Sequence, residues 1–331
     1  MTHGVPGWWV WPAALWLGLV GLWWAGLRRR SPGAFRSLLG VYPVVPLLVA
    51  WLGVQGTTLP PALRAAILTT LLMGLILWAT LTAVWLLGTL LRNHSLMDVA
   101  YPVAPWLGAV GAWLAGGADG SAHTLALLAC LTLWSWRLSG YIGLRYLPHG
   151  EEVRYARWRA RGGASWWWWS YFQIHLTQGV IVWIWTWPVA FALQAPGSMG
   201  LLAWLGLLAW VTGFVFEAGG DWQMHRFRTD PSTKGQVMDR GLWAWCRHPN
   251  YFGEAMMWLG YGLFALSHPW GWLGLPSVAM VFWFMNQGSA TAMTERHLLK
   301  TRPGYADYMA RTPAFLPRPP RPQAPAVRGH P

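Results

Sequence analysis

The clearest chemical pattern in this sequence is a run of polar residues around a proline in the C-terminal half. Asn250 and Glu254 follow Pro249, which suits the first turn of a helix, so both side chains should lie on one helical face. Arg247 and His248 precede that helix, where free backbone N–H groups favour anions. The arrangement suits a pyrophosphate, a 2′-phosphate or a carboxylate. The spacing alone also fits an ordinary basic loop in which Glu254 pairs with an arginine.

A second polar group precedes this motif. Asp221, His225 and Arg228 have the spacing i, i+4 and i+7, which places them on one face of a helix. An acid beside basic residues can hold a ribose hydroxyl and a phosphate. The two groups together therefore indicate a binding site for an anionic cofactor.

Three ionisable residues interrupt apolar stretches of the chain, namely Asp98, Arg137 and Glu217. Charges at membrane depth are costly, and they are usually paired or functional. We expect a functional role for Arg137, which lies well inside its apolar stretch. Asp98 fits either a functional role or a pair with Arg137, and Glu217 fits a structural role.

The elements that carry these residues are predicted to be membrane-spanning helices. The chain is 55% hydrophobic and 11% charged, whereas a soluble protein carries about 25% charged residues. A span needs roughly 20 apolar residues. We therefore predict an all-α, polytopic transmembrane helical bundle with about nine spans. These spans are 8–27, 37–56, 65–91, 98–117, 122–143, 170–194, 199–217, 251–268 and 272–292.

The distribution of positive charge predicts the orientation of this bundle. The formal net charge is +13, and the basic residues cluster in the loops of one side, whereas the opposite loops hold only Arg64. Loops rich in Lys and Arg face the cytoplasm. We therefore predict an outside N-terminus, a cytoplasmic C-terminus and a cytoplasmic polar site. The cations are expected to contact anionic membrane lipids or an anionic cofactor rather than nucleic acid.

Cysteine usage points to a reduced protein. Cys130 lies in an apolar run and Cys246 in a basic loop, so we expect both to be free. No set of residues has the spacing of a metal site. The Pro- and Arg-rich tail, 318–331, lacks apolar periodicity and is expected to be disordered.

At the polar motif, the sequence resembles a known family. The stretch Gly241–Glu254 reads Gly-Leu-Trp-Ala-Trp-Cys-Arg-His-Pro-Asn-Tyr-Phe-Gly-Glu and resembles the C-terminal signature of the steroid 5α-reductase family. It is closest to a bacterial group of unknown function that shares this domain. The similarity extends to Asp98–Pro102, Leu133–Leu138, Gly150–Tyr155, Gln178, Glu295–Lys300 and Tyr305–Pro317. It divides the chain into N-terminal helices at 1–90, a catalytic domain at 91–317 and the tail.

This resemblance implies a helical membrane enzyme that binds NADPH from the cytoplasm and reduces a polarised C=C bond in a lipid. It implies that Asp98 matches an acid that hydrogen-bonds the substrate carbonyl in steroid reductases. The residues that it implies as cofactor contacts are Arg137, Asp221, Arg228, Arg240, Asn250 and Glu254.

The chain departs from the steroid reductases at two positions. They pair the acid with a tyrosine, and Trp134 stands at the corresponding position here. An indole N–H cannot replace a phenol as proton donor, so Tyr101, one helical turn from Asp98, is expected to take this role. Glu295 stands where the steroid enzymes have a histidine. These departures argue against a steroid and favour another hydrophobic, enone-like lipid.

The motif also resembles membrane methyltransferases of the isoprenylcysteine carboxyl methyltransferase type. These enzymes bind S-adenosylmethionine through Arg-His-Pro-x-Tyr-x-Gly and a downstream glutamate. Arg247, His248, Tyr251 and Glu295 match that pattern, and we include them among the predicted cofactor contacts. A third alternative is a non-catalytic, lipid-binding membrane protein on the same scaffold.

The function that we expect is an NADPH-dependent oxidoreductase acting on CH–CH groups, in the bacterial inner membrane. Its substrate would be a hydrophobic small molecule or lipid. Burial in lipid favours the protonated form of a carboxyl group, so Asp98 and Tyr101 are expected to hydrogen-bond the substrate carbonyl and stabilise an enolate.

Overall fold

A computed structural model describes residues 10–30, 44–54, 58–287 and 289–320 of the chain. The regular elements in these ranges are helices, and no described residue belongs to a β-strand. The chain divides into two compact units. Unit 1 comprises residues 1–204 and 261–277, and unit 2 comprises residues 205–260 and 278–331.

Unit 1 contains mainly α-helices. In chain order, they are α1 (Val10–Arg30), α2 (Val45–Val54), α3 (Pro61–Leu90), α4 (Leu96–Ala100), α5 (Val103–Ala115), α6 (Ala122–Tyr146), α7 (Val153–Gly162), α8 (Trp166–Ser170), α9 (Thr177–Trp185) and α10 (Trp187–Leu193). A π-helical turn, Tyr171–Leu176, joins α8 to α9.

The long apolar helix α3 organises unit 1. The hydroxyls of Thr70, Thr80 and Thr82 bond within the helix, as Thr70 does by donating to the Ala66 carbonyl at 2.9 Å. Helix α5 packs on it at Gly108, where an added Cβ would lie 3.0 Å from the Met73 carbonyl oxygen. Helix α9 is tied to it by Trp183, whose Nε1 donates to the Thr70 carbonyl at 2.7 Å.

The chain bends where α9 meets α10. The two helical segments differ in direction by 44° across Thr186. Pro188 lies in the first turn of α10, where its missing N–H costs no helical hydrogen bond. The sequence predicts one apolar span here, and the structure divides it into two shorter helices.

The helices of unit 2 carry most of the polar motifs. They are α11 (Leu201–Thr229), α12 (Leu242–Trp245), α13 (Pro249–Ala265), α14 (Leu275–Gln287), α15 (Ser289–Thr301) and α16 (Tyr305–Arg311). The first residues of α11 and α14 and the last residues of α13 belong to unit 1.

In unit 2, α11 and α13 meet along a row of glycines. Gly206, Gly213 and Gly220 recur every seventh residue on α11, and Gly253 and Gly260 do so on α13. An added Cβ at Gly253 would lie 2.4 Å from the Gly213 carbonyl oxygen, and one at Gly260 would lie 2.7 Å from the Gly206 carbonyl oxygen. Both distances are far below van der Waals contact, so only glycine lets the two backbones approach this closely.

The C-terminal strap, which we define as residues 305–318, folds back onto the segment before α13. The Tyr308 hydroxyl donates to the Trp243 carbonyl at 2.6 Å. The rings of Phe315 and Phe252 meet edge to face, with centroids 5.9 Å apart. The strap therefore fixes the signature segment at both its polar and its apolar side.

The predicted membrane spans correspond in part to helices of the structure. Among the described residues, three helices are long and apolar enough to cross a membrane, and a fourth is added if the bent pair is one span. They are Pro61–Leu90, Ala122–His149, Leu201–Thr229 and the pair Val153–Trp185 with Trp187–Leu193. These apolar helices indicate a membrane protein, as predicted.

The other predicted spans correspond to shorter or interrupted helices. Span 98–117 is divided between α4 and α5 at Tyr101–Pro102. The eighth predicted span corresponds to a helix of 17 residues, and the ninth corresponds to α14, of which 13 residues are described. Parts of spans 8–27 and 37–56, and the tail from residue 321, lie outside the described residues. The nine spans and the N-out, C-in orientation stay predictions.

We predict that Gly253→Ala destabilises the protein. Its methyl group would overlap the Gly213 carbonyl oxygen, so the two helix backbones would have to separate. Overpacking of this kind costs about 1–3 kcal/mol and should lower the thermal unfolding temperature in detergent by several degrees.

Gly140→Ala is the matched control. Gly140 lies inside α6, is exposed, and has no atom within 4 Å of an added Cβ. Alanine there should raise the stability by about 0.5–1 kcal/mol through helix propensity alone. If Gly253→Ala unfolds at the temperature of the unsubstituted protein, the glycine contact does not constrain the helices.

Candidate functional site

The first candidate site lies in unit 2, where α11 faces the first turns of α13. Asp221 is 7% exposed, and its Oδ1 lies 3.4 Å from the Asn250 Nδ2. Glu254, one turn further along α13, is buried and accepts a hydrogen bond from the Trp258 Nε1 at 2.9 Å. The structure therefore brings together three of the residues that the sequence predicts as cofactor contacts.

Arg247, His248 and Glu295 form an ionic cluster before α13. The Glu295 Oε1 lies 2.8 Å from the Arg247 Nε and 2.9 Å from the His248 Nε2. The hydrogen bond with His248, reinforced by Arg247, outweighs the effect of burial and lowers the pKa of Glu295 to about 2. Glu295 is therefore negatively charged at neutral pH and holds both side chains in place.

The strap holds Arg247 from another side. Its Nη1 donates to the carbonyls of Thr312 at 2.6 Å and Met309 at 3.2 Å, and its backbone N–H donates to the Pro313 carbonyl at 2.9 Å. These bonds commit much of the guanidinium to the protein. Arg247 therefore positions the start of α13, and its predicted contact with a cofactor stays a prediction.

His248 precedes the first turn of α13 and stacks on Tyr251. The Phe252 N–H donates to the His248 carbonyl at 3.0 Å. The imidazole and phenol rings are nearly parallel, with an interplanar angle of 9° and centroids 5.3 Å apart. Two predicted cofactor residues thus form one rigid aromatic pair.

The segment before this motif is tied to α11 by Gln223. The Leu242 N–H donates to the Gln223 Oε1 at 2.9 Å, and the Trp243 Nε1 donates to the Gly220 carbonyl at 3.0 Å. Gly241 has a φ of 60° and would place a Cβ 2.6 Å from the Gln223 Oε1. The start of the signature therefore needs glycine for both its conformation and its close contact.

Arg240 lies apart from the other predicted cofactor residues of unit 2. It lines an open groove of about 720 Å³ along α11, together with Arg226 and Phe227, and its guanidinium lies 5.9 Å from the Phe227 ring centroid. A helix turns about 100° per residue, so this groove is on a different side of α11 from Asp221 and the exposed Arg228. The structure does not bring Arg240 to the Asp221 face.

Both cysteines are free, as predicted. Cys130 and Cys246 are buried, and burial raises the pKa of the Cys246 thiol to about 12. A thiol in this state is unreactive at neutral pH, so we assign Cys246 no chemical role.

The second candidate site lies in unit 1 around Asp98. Its Oδ1 accepts a hydrogen bond from the Tyr155 hydroxyl at 2.5 Å, and its Oδ2 accepts one from the Arg154 Nη2 at 2.9 Å. Tyr155 is fully buried, and its hydroxyl also hydrogen-bonds with the Gln178 side chain. An acid, a phenol and a guanidinium, all able to bind a carbonyl group when suitably protonated, therefore converge here.

The phenol that donates to Asp98 is Tyr155, and the role of Tyr101 as proton donor to the substrate carbonyl stays a prediction. Tyr101 lies half-buried at the end of α4, and its N–H donates to the Met97 carbonyl at 2.9 Å. The prediction relied on helical spacing from Asp98. Tyr155 is 57 residues away in sequence, and local periodicity carries no signal for such a pair. The sequence signal that could have indicated Tyr155 is its position in the segment Gly150–Tyr155, which resembles the steroid 5α-reductase family.

Helix α6 positions α4, which carries Asp98. The Ser135 hydroxyl donates to the Pro102 carbonyl at 2.7 Å, and the Ser139 hydroxyl donates to the Val99 carbonyl at 2.6 Å. Arg137 lies half-buried between these serines in sequence, inside a long apolar helix as predicted.

The turn before α4 is held by two glutamates. The His94 N–H donates to the Glu151 Oε1 at 3.0 Å, and the Glu152 N–H donates to the Ser95 hydroxyl at 2.7 Å. Burial, reinforced by the charge of Arg159, lowers the pKa of His94 to about 4, so its ring is neutral at physiological pH. The charged segment after α6 therefore fixes the position of Asp98.

Comparison with known proteins places these sites in a family context. Residues 84–312 match a family described as "Protein of unknown function (DUF1295)". An uncharacterized protein of Schizosaccharomyces pombe, C594.04c, is 28% identical over 286 residues, which cover 76% of this chain and 78% of the yeast protein. The Mus musculus Delta(14)-sterol reductase TM7SF2 is 33% identical over 118 residues, which cover 29% of this chain and 28% of the mouse protein. The matched range contains both candidate sites.

We predict that Glu295→Gln destabilises the protein at neutral pH and reduces its sensitivity to acid. The pKa of Glu295 in the folded protein is below its ordinary value of 4.5. Its carboxylate therefore contributes stability above pH 4.5, and this contribution is lost as the pH falls towards 2. Glutamine still accepts through its Oε1, but two hydrogen bonds to a charged acceptor become weaker neutral ones, which costs about 1–3 kcal/mol.

Thermal unfolding in detergent, measured between about pH 7 and pH 3, tests this prediction. Asp307→Asn removes an exposed carboxylate of the same unit and serves as the control. An unchanged unfolding temperature for Glu295→Gln at neutral pH would show that the cluster does not stabilise unit 2.

Proposed function

Because this chain belongs to the DUF1295 family, which is the steroid 5α-reductase-like domain group, we propose that it is a membrane-embedded reductase that uses NADPH to reduce the C=C bond of a hydrophobic, enone-like lipid. The family and the partial similarity to a Delta(14)-sterol reductase suggest a membrane reductase-like function. The observation that carries the finer proposal is the contact between buried Asp221 and Asn250 at the first turn of α13, inside the matched range.

The groups around this contact suit a dinucleotide. The Asp221 carboxylate and the Asn250 amide are suitable partners for ribose hydroxyls. The exposed Arg228, on the same face of α11, supplies positive charge for a phosphate. Glu254, Arg137 and Arg240 stay predicted cofactor contacts. When bound, NADPH supplies the hydride equivalent for the C=C bond.

We further propose that Tyr155 and Asp98 bind the substrate carbonyl. Negative charge develops on the carbonyl oxygen of an enone when its β-carbon is reduced, so a donor at that oxygen stabilises the enolate. With a proton on Asp98, the acid donates to the Tyr155 oxygen across their 2.5 Å contact, and the phenol hydrogen is free to turn to the carbonyl. The neutral acid then acts through Tyr155, and Gln178 holds the phenol.

The proposed location is the bacterial inner membrane, with the cofactor bound from the cytoplasm. Supporting this, α11 is apolar over most of its length and ends with two arginines, Arg226 and Arg228. Basic residues at the end of a span are typical of its cytoplasmic side.

One observation favours a second candidate, S-adenosylmethionine-dependent methyl transfer. The four residues that match the methyltransferase pattern are connected in the structure. They are Arg247, His248, Tyr251 and Glu295, joined by two ionic contacts and one ring stack. S-adenosylmethionine is therefore the second ligand in the experiment below.

We predict that NADPH raises the thermal unfolding temperature of the purified protein in detergent. A ligand that binds only the folded state stabilises it by mass action, by about 2.7 kcal/mol at a concentration one hundred times its Kd. Asn250→Ala should abolish most of this shift, because it removes the amide beside Asp221. The measurement compares NADPH, NADH and S-adenosylmethionine for both proteins.

The control is Asn93→Ala, which removes an amide of unit 1 outside the proposed cofactor site and should leave the shift intact. A shift with S-adenosylmethionine alone would replace the reductase proposal by methyl transfer. The absence of a shift with all three ligands would favour a non-catalytic lipid-binding protein.

We predict that Tyr155→Phe and Asp98→Ala lower turnover of hydrophobic enones while leaving the NADPH-induced thermal shift nearly unchanged. Loss of the proton donor should reduce the rate about 10²-fold, the usual contribution of such a group. NADPH oxidation measured over a panel of enones provides the rate.

Tyr101→Phe is the comparison that separates the two phenols. It should retain most of the activity if Tyr155 is the donor. Loss of turnover in Tyr101→Phe with full activity in Tyr155→Phe would restore the assignment made from the sequence, and unchanged turnover in Asp98→Ala would refute the role of the acid.

A further inference from the structure

Unit 1 contains an apolar cavity of about 90 Å³ that neither Asp98 nor Tyr155 lines. Side chains from α1, α2, α3 and α9 form its walls, among them Trp16, Ala50 and Leu75. Its surface is almost entirely hydrocarbon and aromatic. A cavity with such walls favours an apolar occupant over water.

The size of the cavity limits the shape of that occupant. A water-sized group requires roughly 10–15 Å³ of this volume, so about 90 Å³ accommodates roughly six to nine methylene-sized groups. This matches one stretch of a single hydrocarbon chain. A fused ring system of four rings exceeds this volume.

The polar side chains of the lining gather at the π-helical turn. The Tyr171 hydroxyl accepts a hydrogen bond from the Trp78 Nε1 at 2.6 Å and lies 3.1 Å from the Thr82 hydroxyl. His175, one turn after Tyr171, also lines the cavity. π-helical turns are rare and are frequently found at functional sites.

His175 is the polar group with a vacant bonding position. Its side chain is 1% exposed, and its Nε2 lies 3.5 Å from the His94 Nδ1. Nowhere in the described part of the chain does a group pair with the His175 Nδ1. A buried ring nitrogen without a partner costs free energy, and a ligand that pairs with it recovers this cost.

The chemistry of this nitrogen selects the polar group of the ligand. If His175 donates from Nε2 to His94, its Nδ1 is an acceptor, and in the other tautomer its Nδ1 is a donor. A hydroxyl group both donates and accepts, so it pairs with His175 in either tautomer. An alkane, an ether or a ketone lacks one or both of these abilities.

The cavity also lies largely outside the matched range of residues 84–312. Helices α1 and α2 and most of α3 precede residue 84, and they supply two thirds of the cavity's lining residues. The N-terminal helices thus add a ligand site to the family domain rather than completing either candidate site.

We propose that this cavity binds one hydrocarbon chain of a lipid alcohol, with the hydroxyl group hydrogen-bonded to the His175 Nδ1. This site does not depend on NADPH or on the proposed reductase reaction. It gives the N-terminal helices a function, which is selective binding of a single-chain lipid.

Photoaffinity labelling of the full chain in detergent tests the proposal. The probe is a long-chain primary alcohol with a diazirine in its chain, and the labelled peptides are identified by mass spectrometry. Labels are expected on α2 and α3 around Ala50 and Leu75. Decanol should suppress them at a concentration roughly five-fold lower than decane, the ratio expected for one net hydrogen bond.

Two kinds of variant separate cavity binding from adsorption to the apolar surface. Leu75→Trp and Ala50→Leu each fill the cavity and should abolish the labelling that decanol suppresses, and either suffices if the other fails to fold. His175→Phe keeps a ring of similar size and should remove the advantage of decanol over decane. Thermal unfolding of each variant verifies that it is folded.

The proposal is overturned if decanol and decane compete equally with the unsubstituted protein, or if labelling persists in a folded cavity-filled variant. Labels spread over the exposed apolar helices, without competition, also overturn it. The NADPH-induced thermal shift is measured separately on the same preparations. A failure of alcohol binding with an intact shift therefore refutes this site alone, and the reverse result refutes the cofactor proposal alone.

Discussion

The candidate cofactor site depends on one backbone contact in unit 2. At Gly213 and Gly253 the two helices approach so closely that a Cβ on either would lie 2.4 Å from the carbonyl oxygen of the other. Helices with ordinary side chains at their contact stand about 8–10 Å apart. The contact between the Asp221 Oδ1 and the Asn250 Nδ2 is already 3.4 Å long, so a separation of the two backbones would weaken it. The glycine row therefore determines which polar groups can act together.

A second constraint sets the charge of this site. Glu295 is ionised at neutral pH, so its charge offsets that of Arg247. The cost of removing these charges from water is offset because each also bonds to further groups, including the carbonyls of the strap. Attraction for an anion on the Asp221 face of α11 therefore falls mainly to the exposed Arg228. The strap affects anion binding because it holds Arg247 and so helps to fix the position of α13.

Helical periodicity predicted the local parts of both sites and could not predict their pairing. The helical face that carries Asp221 follows from the residue spacing within α11, and the face that carries Asn250 follows from the spacing within α13. Both faces were predicted. Tyr155 was missed as the partner of Asp98 because 57 residues separate them. The seven-residue glycine spacing is visible in the sequence, but a row of small residues does not identify the helix that packs on it. Arg240 was predicted as a cofactor contact from similarity, but it lines a groove on a different side of α11 from Asp221.

The His175 Nδ1 and the Asp98 carboxyl group, both in unit 1, differ in what a ligand must do to bind them. The His175 Nδ1 has no partner in the described part of the chain, so a ligand hydroxyl adds a hydrogen bond there without breaking one. Asp98 already accepts bonds from Tyr155 and Arg154. If the acid is ionised, a carbonyl must take the phenol hydrogen away from it, and the number of hydrogen bonds does not rise. If the acid is protonated, it donates to the phenol and the carbonyl gains a bond in addition. Polarisation of a carbonyl by Tyr155 therefore requires a proton on Asp98. The protonation state of Asp98 decides whether the site can stabilise an enolate.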